Sequence, residues 1–360
     1  MRITSMIPVS RFSTHGLLVA LLLSLAGPSE AQVLKQLLSL RGSWKFALGD
    51  DPSRSSPSFD DGSWTTIHVP AYWEDEGYPG YDGYAWYRMR FFSQKEWEGK
   101  SLYLQLGRID DVDRVFVNGK PVGGRGSFPP SYRSAYGDNR RYSLTPSLLN
   151  FDAQNTIAVR VYDSELGGGI VGKEIGIFED VAALIPDEPL AGTWRFATGD
   201  EPSWKEPSYN DSRWKEIVVP SYWESQGYPD YDGYAWYRIR FQVQHSTADR
   251  DIILLLGKID DVDEAYLNGE YLGRTGRMLR PDETGSYGNE YQKLRAYTIP
   301  RGRLYTDREN VIAVKVHDNY RDGGIYEGPI GFVTREHFQS WTKQKDKRRS
   351  FWDLFDGMFK

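Results

Sequence analysis

Two short stretches carry the residue types that acid–base chemistry needs. Ile109-Asp110-Asp111-Val112-Asp113 and Ile259-Asp260-Asp261-Val262-Asp263 repeat the same five letters with three carboxylates each. A pair of carboxyl groups is what glycoside cleavage uses, one as acid and one as nucleophile or base. The same spacing also suits a tight turn, because Asp bonds its own backbone there, and this structural role is the stronger expectation. Asp113 shares parity with Val115 and Val117, so it should point inward and meet an Arg or a hydrogen-bond donor. Histidine offers no shared catalyst, since His68 stands opposite Val218 and His317 opposite Tyr162 in the other repeat. With no Cys in the chain, thiolate nucleophiles, thiolate metal sites and disulfides are excluded. No Gly-x-Ser-x-Gly elbow occurs. Clustered Asp oxygens suit Ca²⁺, but no loop shows an ordered ligand spacing, so neither metal nor cofactor is assigned.

A second set of residues could hold a ligand. "YDGYAWYRMRF" and "YDGYAWYRIRF" place Asp82, Tyr84, Trp86 and Arg88, and again Asp232, Tyr234, Trp236 and Arg238, in extended chain. By the two-residue period one face carries Ala85, Tyr87, Met89 and Phe91 and belongs to a core. The other carries Tyr84, Trp86, Arg88 and Arg90. Two arrangements satisfy that face: an open aromatic floor beside charged groups, as a sugar requires, or Trp86 packed beneath a loop with Arg88 against it.

The elements that position these residues are strands. "SLYLQLG" and "NTIAVRVYD" alternate apolar and polar residues, and Asn118-Gly119 and Asn268-Gly269 mark hairpins. Trp44 and Trp194, Pro70 and Pro220, and Trp86 and Trp236 all lie 150 residues apart; beyond Gly276 the second repeat gains five residues, so that Asp163 answers to Asp318. A period this long means duplicated domains rather than a solenoid. The expected architecture is all-β: two tandem antiparallel β-sandwiches over 32–186 and 187–336, with a short C-terminal helix. Residues 337–360 form a basic, aromatic tail in which Ser350 and Asp353 occupy capping-box positions. That tail is expected to fold back on the second domain, with a partner or a membrane surface as the alternative.

The apolar run "GLLVALLLSLAG" behind Arg2 and Arg11, followed by Ser29-Glu30-Ala31, reads as a cleavable signal over residues 1–31 and predicts a secreted or periplasmic protein. Net charge is −6, with no basic stripe, which argues against nucleic acid as a partner.

Taken in order, "VPAYWEDEGY", "WYRMRF", "VFVNGKPVG", "NTIAVRVYD" and "GIFEDV" resemble the N-terminal sugar-binding jelly roll of family-two glycoside hydrolases, the β-galactosidase and β-glucuronidase group. "LGRIDDVDRVFVNG" and "GGGI" are similar to the sandwich of sialate O-acetylesterases. The resemblance implies a galactose-binding-like jelly roll in each repeat. It also implies that Asp163, with Asp318 as its counterpart, points toward the sugar, and that the glycines after each let backbone approach a ligand. Nothing in the chain resembles the catalytic barrel, which needs roughly 250 residues. The expected function is therefore noncatalytic binding of a neutral or acidic glycan, at two sites whose linkage raises avidity, alongside a glycan-degrading enzyme. A hydrolase or its accessory subunit is the first alternative, and a structural or protein-docking sandwich pair the second.

Overall fold

The computed structural model describes residues 33–358 apart from 280–282 and 284–286, with side chains except those of 245, 246 and 348–358. The expected leader over 1–31 lies outside them.

Each repeat builds one six-stranded sheet. In the first half its order is Thr65–Val69, Gly42–Leu48, Gly83–Ser93, Ala153–Asp163, Val112–Val117 and Lys120–Arg125; in the second, Lys215–Val219, Gly192–Thr198, Gly233–Phe241, Asn310–Asp318, Val262–Leu267 and Glu270–Thr275. The smaller sheets are built on Leu102–Asp110 in the first half and Ile252–Asp260 in the second. Leu104, Leu106 and Ile177 of the smaller sheet share one buried cluster with Trp44, Phe46, Val115 and Val159 of the larger. The second half repeats this with its own cluster. The chain is thus all-β with sandwich-like packing and a C-terminal helix, as the two-residue period predicts. Both Asn-Gly pairs have positive φ and close the hairpins between Val117 and Lys120 and between Leu267 and Glu270.

The abundant aromatics serve mostly these cores. Trp73 and Trp223 are fully buried and donate their indole N–H to the carbonyls of Tyr81 and Tyr231 at 3.0 and 3.2 Å. A Cβ on Gly168 would come within 2.1 Å of the Trp73 ring, and one on Gly323 within 2.1 Å of Trp223. These glycines let the loop lie on a tryptophan, which replaces the expectation that they make room for a ligand.

The tail helix runs Arg335–Met358, so it starts well before the Ser350–Asp353 pair expected to cap it. Thr334 ends the preceding strand and its hydroxyl accepts the His337 N–H at 3.3 Å, an N-cap that the apolar spacing further along does not reveal. Phe338 and Trp341 pack against Leu184, Ile253, Leu255 and Val333, and Trp341 donates to the Ala182 carbonyl at 2.9 Å. The start of the helix therefore folds back on the second half and on the segment joining the halves. The apolar positions Phe351, Leu354, Phe355 and Met358 lie outside the described side chains. Trp341→Ala should destabilise the chain by about 2 kcal/mol or more, since it removes a large packed ring and a hydrogen bond; thermal unfolding of the purified chain checks this.

Candidate functional site

The open aromatic floor is not there. Trp86 and Arg88 are each 1% exposed, and Trp236 and Arg238 are equally hidden. Trp86 stacks on Phe116 at 5.9 Å between centroids and donates to Asp50 at 3.3 Å. Arg88 reaches Asp61 at 2.9 Å and the Ser56 carbonyl at 3.0 Å. Residues 50–61 thus roof this face with the carboxylate that two arginines need, Arg90 also bonding Asp61 at 2.9 Å. The second half does the same with Arg238 on Asp211 at 2.7 Å and Trp236 on Tyr266. Parity assigned the face correctly; a loop distant in sequence covers it. Tyr84 is half-buried, with Arg160 stacked 4.7 Å over its ring, and Tyr234 is tied by its hydroxyl to the Leu279 carbonyl at 2.6 Å. Asp82 and Asp232 are exposed.

The chemistry gathers at the strand ends instead. Asp110 closes the strand Leu102–Asp110 and Asp163 closes Ala153–Asp163, so the two sheets deliver carboxylates to one end of the sandwich. Oxygens of Asp110, Asp111 and Asp163 all lie within 4.8 Å of one another. Asp163 is fully buried, and neither of its carboxylate oxygens has a hydrogen-bond partner among the described residues. Burial, then the charges of Asp110 and Asp111, push its carboxyl up to about 7. Asp110 is likewise pushed up to about 7 by burial and by Asp111. Asp111 behaves oppositely. Burial raises it, but hydrogen bonds from Ser134, Tyr132 and Ser164 outweigh that and hold it below the usual carboxylate range. Beside the cluster opens a cleft of about 570 Å³, lined by Asp110 and Asp111 together with Tyr72, Glu74, Tyr132, Tyr136, Ser164 and Glu165. Of the ligand-binding residues expected from sequence, only the Asp163 position belongs to this place, where it meets Asp110 and Asp111 of the repeated Ile-Asp-Asp-Val-Asp stretch. Tyr72 and Glu74 were legible in "AYWEDEGY" as repeated letters, but nothing in their spacing marks them as lining a cleft.

One ion pair holds the cleft's frame. Arg140 meets Asp113 at 2.7 Å, both side chains fully buried, and Tyr142 donates to the other Asp113 oxygen. The same guanidinium donates to the Asp111 carbonyl at 2.8 Å and to the carbonyls of Ala135 and Asp138, tying the Asp-Asp turn to the loop that carries Tyr132 and Tyr136. Arg295 repeats this with Asp263 at 2.8 Å and Asp261 at 2.8 Å.

The second half's counterpart of the cleft is covered by the first half. Arg125 lies 4.1 Å from the centroid of the Tyr222 ring and pairs with Asp322 at 2.8 Å, while Arg133 reaches Asp322 at 2.6 Å. Tyr72 is 40% exposed, whereas Glu224, the partner of half-exposed Glu74, is only 5% exposed. The halves share strands but present different surfaces, because one docks on the other.

Known proteins show the same ancestry. A family model described as "Beta-galactosidase second all-beta domain" matches residues 50–166 and 199–322. The chain belongs to that family. Both repeats match, which agrees with the resemblance to family-two glycoside hydrolases. Among curated proteins, "Beta-galactosidase BoGH2A" of Bacteroides ovatus is 31% identical over 152 residues, covering 38% of this chain and 17% of that protein. A "Beta-glucuronidase" of Formosa agariphila is 27% identical over 132 residues, 33% of this chain and 12% of that protein. A solved β-glucuronidase 2 of Bacteroides uniformis aligns over 82% of this chain and 28% of its own, with 18% identity and a TM-score of 0.36. The chain therefore corresponds to a small part of these enzymes' length.

Two outcomes follow from the site's electrostatics. Arg140→Ala strands a buried carboxylate and should cost about 3–5 kcal/mol in urea unfolding. Glu224 accepts the Gly323 N–H at 2.9 Å through one oxygen while the other is unpartnered, and burial pushes its carboxyl up to about 9. An acid whose folded value is raised favours the fold below its unfolded value, and that advantage is lost as pH climbs toward the folded value. Glu224→Gln should accordingly stabilise the protein relative to the parent by an amount that grows on the order of 1 kcal/mol per pH unit between pH 5 and 8; unfolding curves at several pH values read it.

Proposed function

We propose that this chain is an exported carbohydrate-binding protein that holds a glycan in the cleft of its first half and does not cleave it. The observation carrying this reading is the open cleft in which exposed Tyr72, Tyr132 and Tyr136 stand beside Glu74, Asp110, Asp111 and Glu165. Aromatic faces suit the C–H side of a sugar ring and carboxylates accept from its hydroxyls. Five carboxylates, counting Asp75, line the cleft and disfavour an acidic glycan, so of the neutral or acidic glycans expected from sequence a neutral sugar is the better match. A carboxylate-rich cleft also favours sugar over the protein-docking alternative. In this reading residues 1–31 are a signal peptide, residues 32–186 and 187–336 are galactose-binding-like jelly-roll domains, and the partner is a glycan, met alongside a glycan-degrading enzyme. Membership in a β-galactosidase domain family supports it.

One observation favours a hydrolase instead: Asp110 is pushed up beside an Asp111 held down, the division of labour between an acid and an ionised partner. Against it, hydrogen bonds from Tyr132, Ser134 and Ser164 to both Asp111 oxygens draw charge from that carboxylate and weaken it as a nucleophile.

A glycan array probed with the purified chain should identify neutral ligands. Tyr72→Ala combined with Tyr136→Ala should then weaken binding by about tenfold, the scale of lost aromatic contacts. Tyr320→Ala, exposed in the second half, should leave it unchanged. Absence of binding to every glycan would reject the reading, and release of reducing sugar that disappears in Asp110→Asn would transfer it to the hydrolase.

A further inference from the structure

The two carboxylate triads pose a charge problem that the described residues do not solve. Asp110, Asp111 and Asp163 in the first half, and Asp260, Asp261 and Asp318 in the second, each bring oxygens within 4.8 Å. No Lys or Arg among the described residues forms an ion pair with any of the six; Arg140 and Arg295 reach the triads only through the carbonyls of Asp111 and Asp261. Among the described residues both oxygens of fully buried Asp163 lack a partner, and so does one oxygen of fully buried Asp318, whose other oxygen receives a long 3.4 Å bond from the Tyr320 N–H. A buried carboxylate left without donors is costly, and neighbouring carboxylates add to that cost. The same unsatisfied arrangement appears at corresponding positions in both halves, although the loops beside it differ.

We infer that each half holds one Ca²⁺ between its three aspartates. The donors are carboxylate oxygens alone, which suits a hard cation rather than zinc or copper. Oxygens on opposite sides of Ca²⁺ stand roughly 4.6–5.2 Å apart, given bonds of 2.3–2.6 Å, so a set within 4.8 Å is close enough to share one such ion. Mg²⁺, with bonds near 2.0–2.1 Å, demands near-ideal octahedral geometry, which Ca²⁺ does not. The ligands lie far apart in sequence: one turn supplies two and the end of a second strand supplies the third. No loop motif announces such a site. The two sites differ in access. Asp110 and Asp111 line the open cleft, where water completes the coordination. The second triad lies in the half whose Asp322 is engaged by Arg125 and Arg133, so its ion should exchange more slowly.

The test is calorimetric titration of the chelator-treated full chain with CaCl₂ up to about 10 mM, a ceiling above the weak affinities of extracellular Ca²⁺ modules. The expected result is two ions per chain, a melting temperature that rises with Ca²⁺ more than with equal Mg²⁺, and loss of one ion in Asp163→Asn and of the other in Asp318→Asn. Where either variant fails to fold, Asp110→Asn and Asp260→Asn, at the half-buried positions, should weaken the corresponding ion by at least tenfold. Absence of Ca²⁺ binding in the parent chain, or Ca²⁺ binding that survives all four substitutions, overturns the inference. So does an Asp163→Asn variant that melts higher than the Ca²⁺-saturated parent, because the triad would then be neutralised by protons.

Discussion

The cleft depends on a buried guanidinium. Arg140 is wholly withdrawn from water, and its donors are satisfied there because Asp113 receives one edge of its fork and three backbone carbonyls receive the rest. Those carbonyls belong to the Asp-Asp turn and to the loop after Pro130, so satisfying one charge fixes both walls of the cleft. Tyr142 occupies the remaining Asp113 oxygen, and the pair, with its hydrogen bonds, forms a closed polar network inside an otherwise apolar sandwich. Such a network contributes less through net stability than through geometry: a small shift of the turn would unpair a buried charge. The second half keeps the same network around Arg295, although its neighbouring loop is five residues longer, which indicates that the device belongs to the fold and the loop is free to vary.

Duplication produced two similar cores but unlike surfaces. In the first half the strand ends open to solvent between Tyr72 and Tyr136; in the second the corresponding surface receives Arg125 and Arg133. Replacing the Asp75 position by Ser225 and the Gly167 position by Asp322 suits this exchange, since Asp322 supplies the carboxylate that both arginines meet. The Arg141–Glu327 pair at 2.8 Å extends the contact. The second half thereby resembles a dock that orients the first, and avidity from two open sites does not account for why the motif occurs twice. The retained "YDGYAWYR" letters have a local reason instead: Trp86, Tyr87 and Arg88, and their counterparts, each fill a buried position with a specific polar partner or ring.

What the sequence determined by itself was local and periodic. Alternation at period two assigned the strands and their inward residues, Asn-Gly assigned the hairpins, parity sent Asp113 inward to meet an Arg, and the 150-residue step exposed the duplication. These follow from backbone geometry, which is the same wherever the strand lies. Tertiary structure decided what covers each face and what meets at each end. Parity separates the two sides of a sheet but does not name the segment that lies on either, so Trp86 and Arg88 could not be known as buried until residues 50–61 were placed over them. The carboxylate triads join strand ends more than fifty residues apart, and the covering of the second cleft joins Arg125 to Asp322, 197 residues away. Contacts at such separations arise from how strands order themselves within sheets and how one half docks on the other, and no local spacing records them.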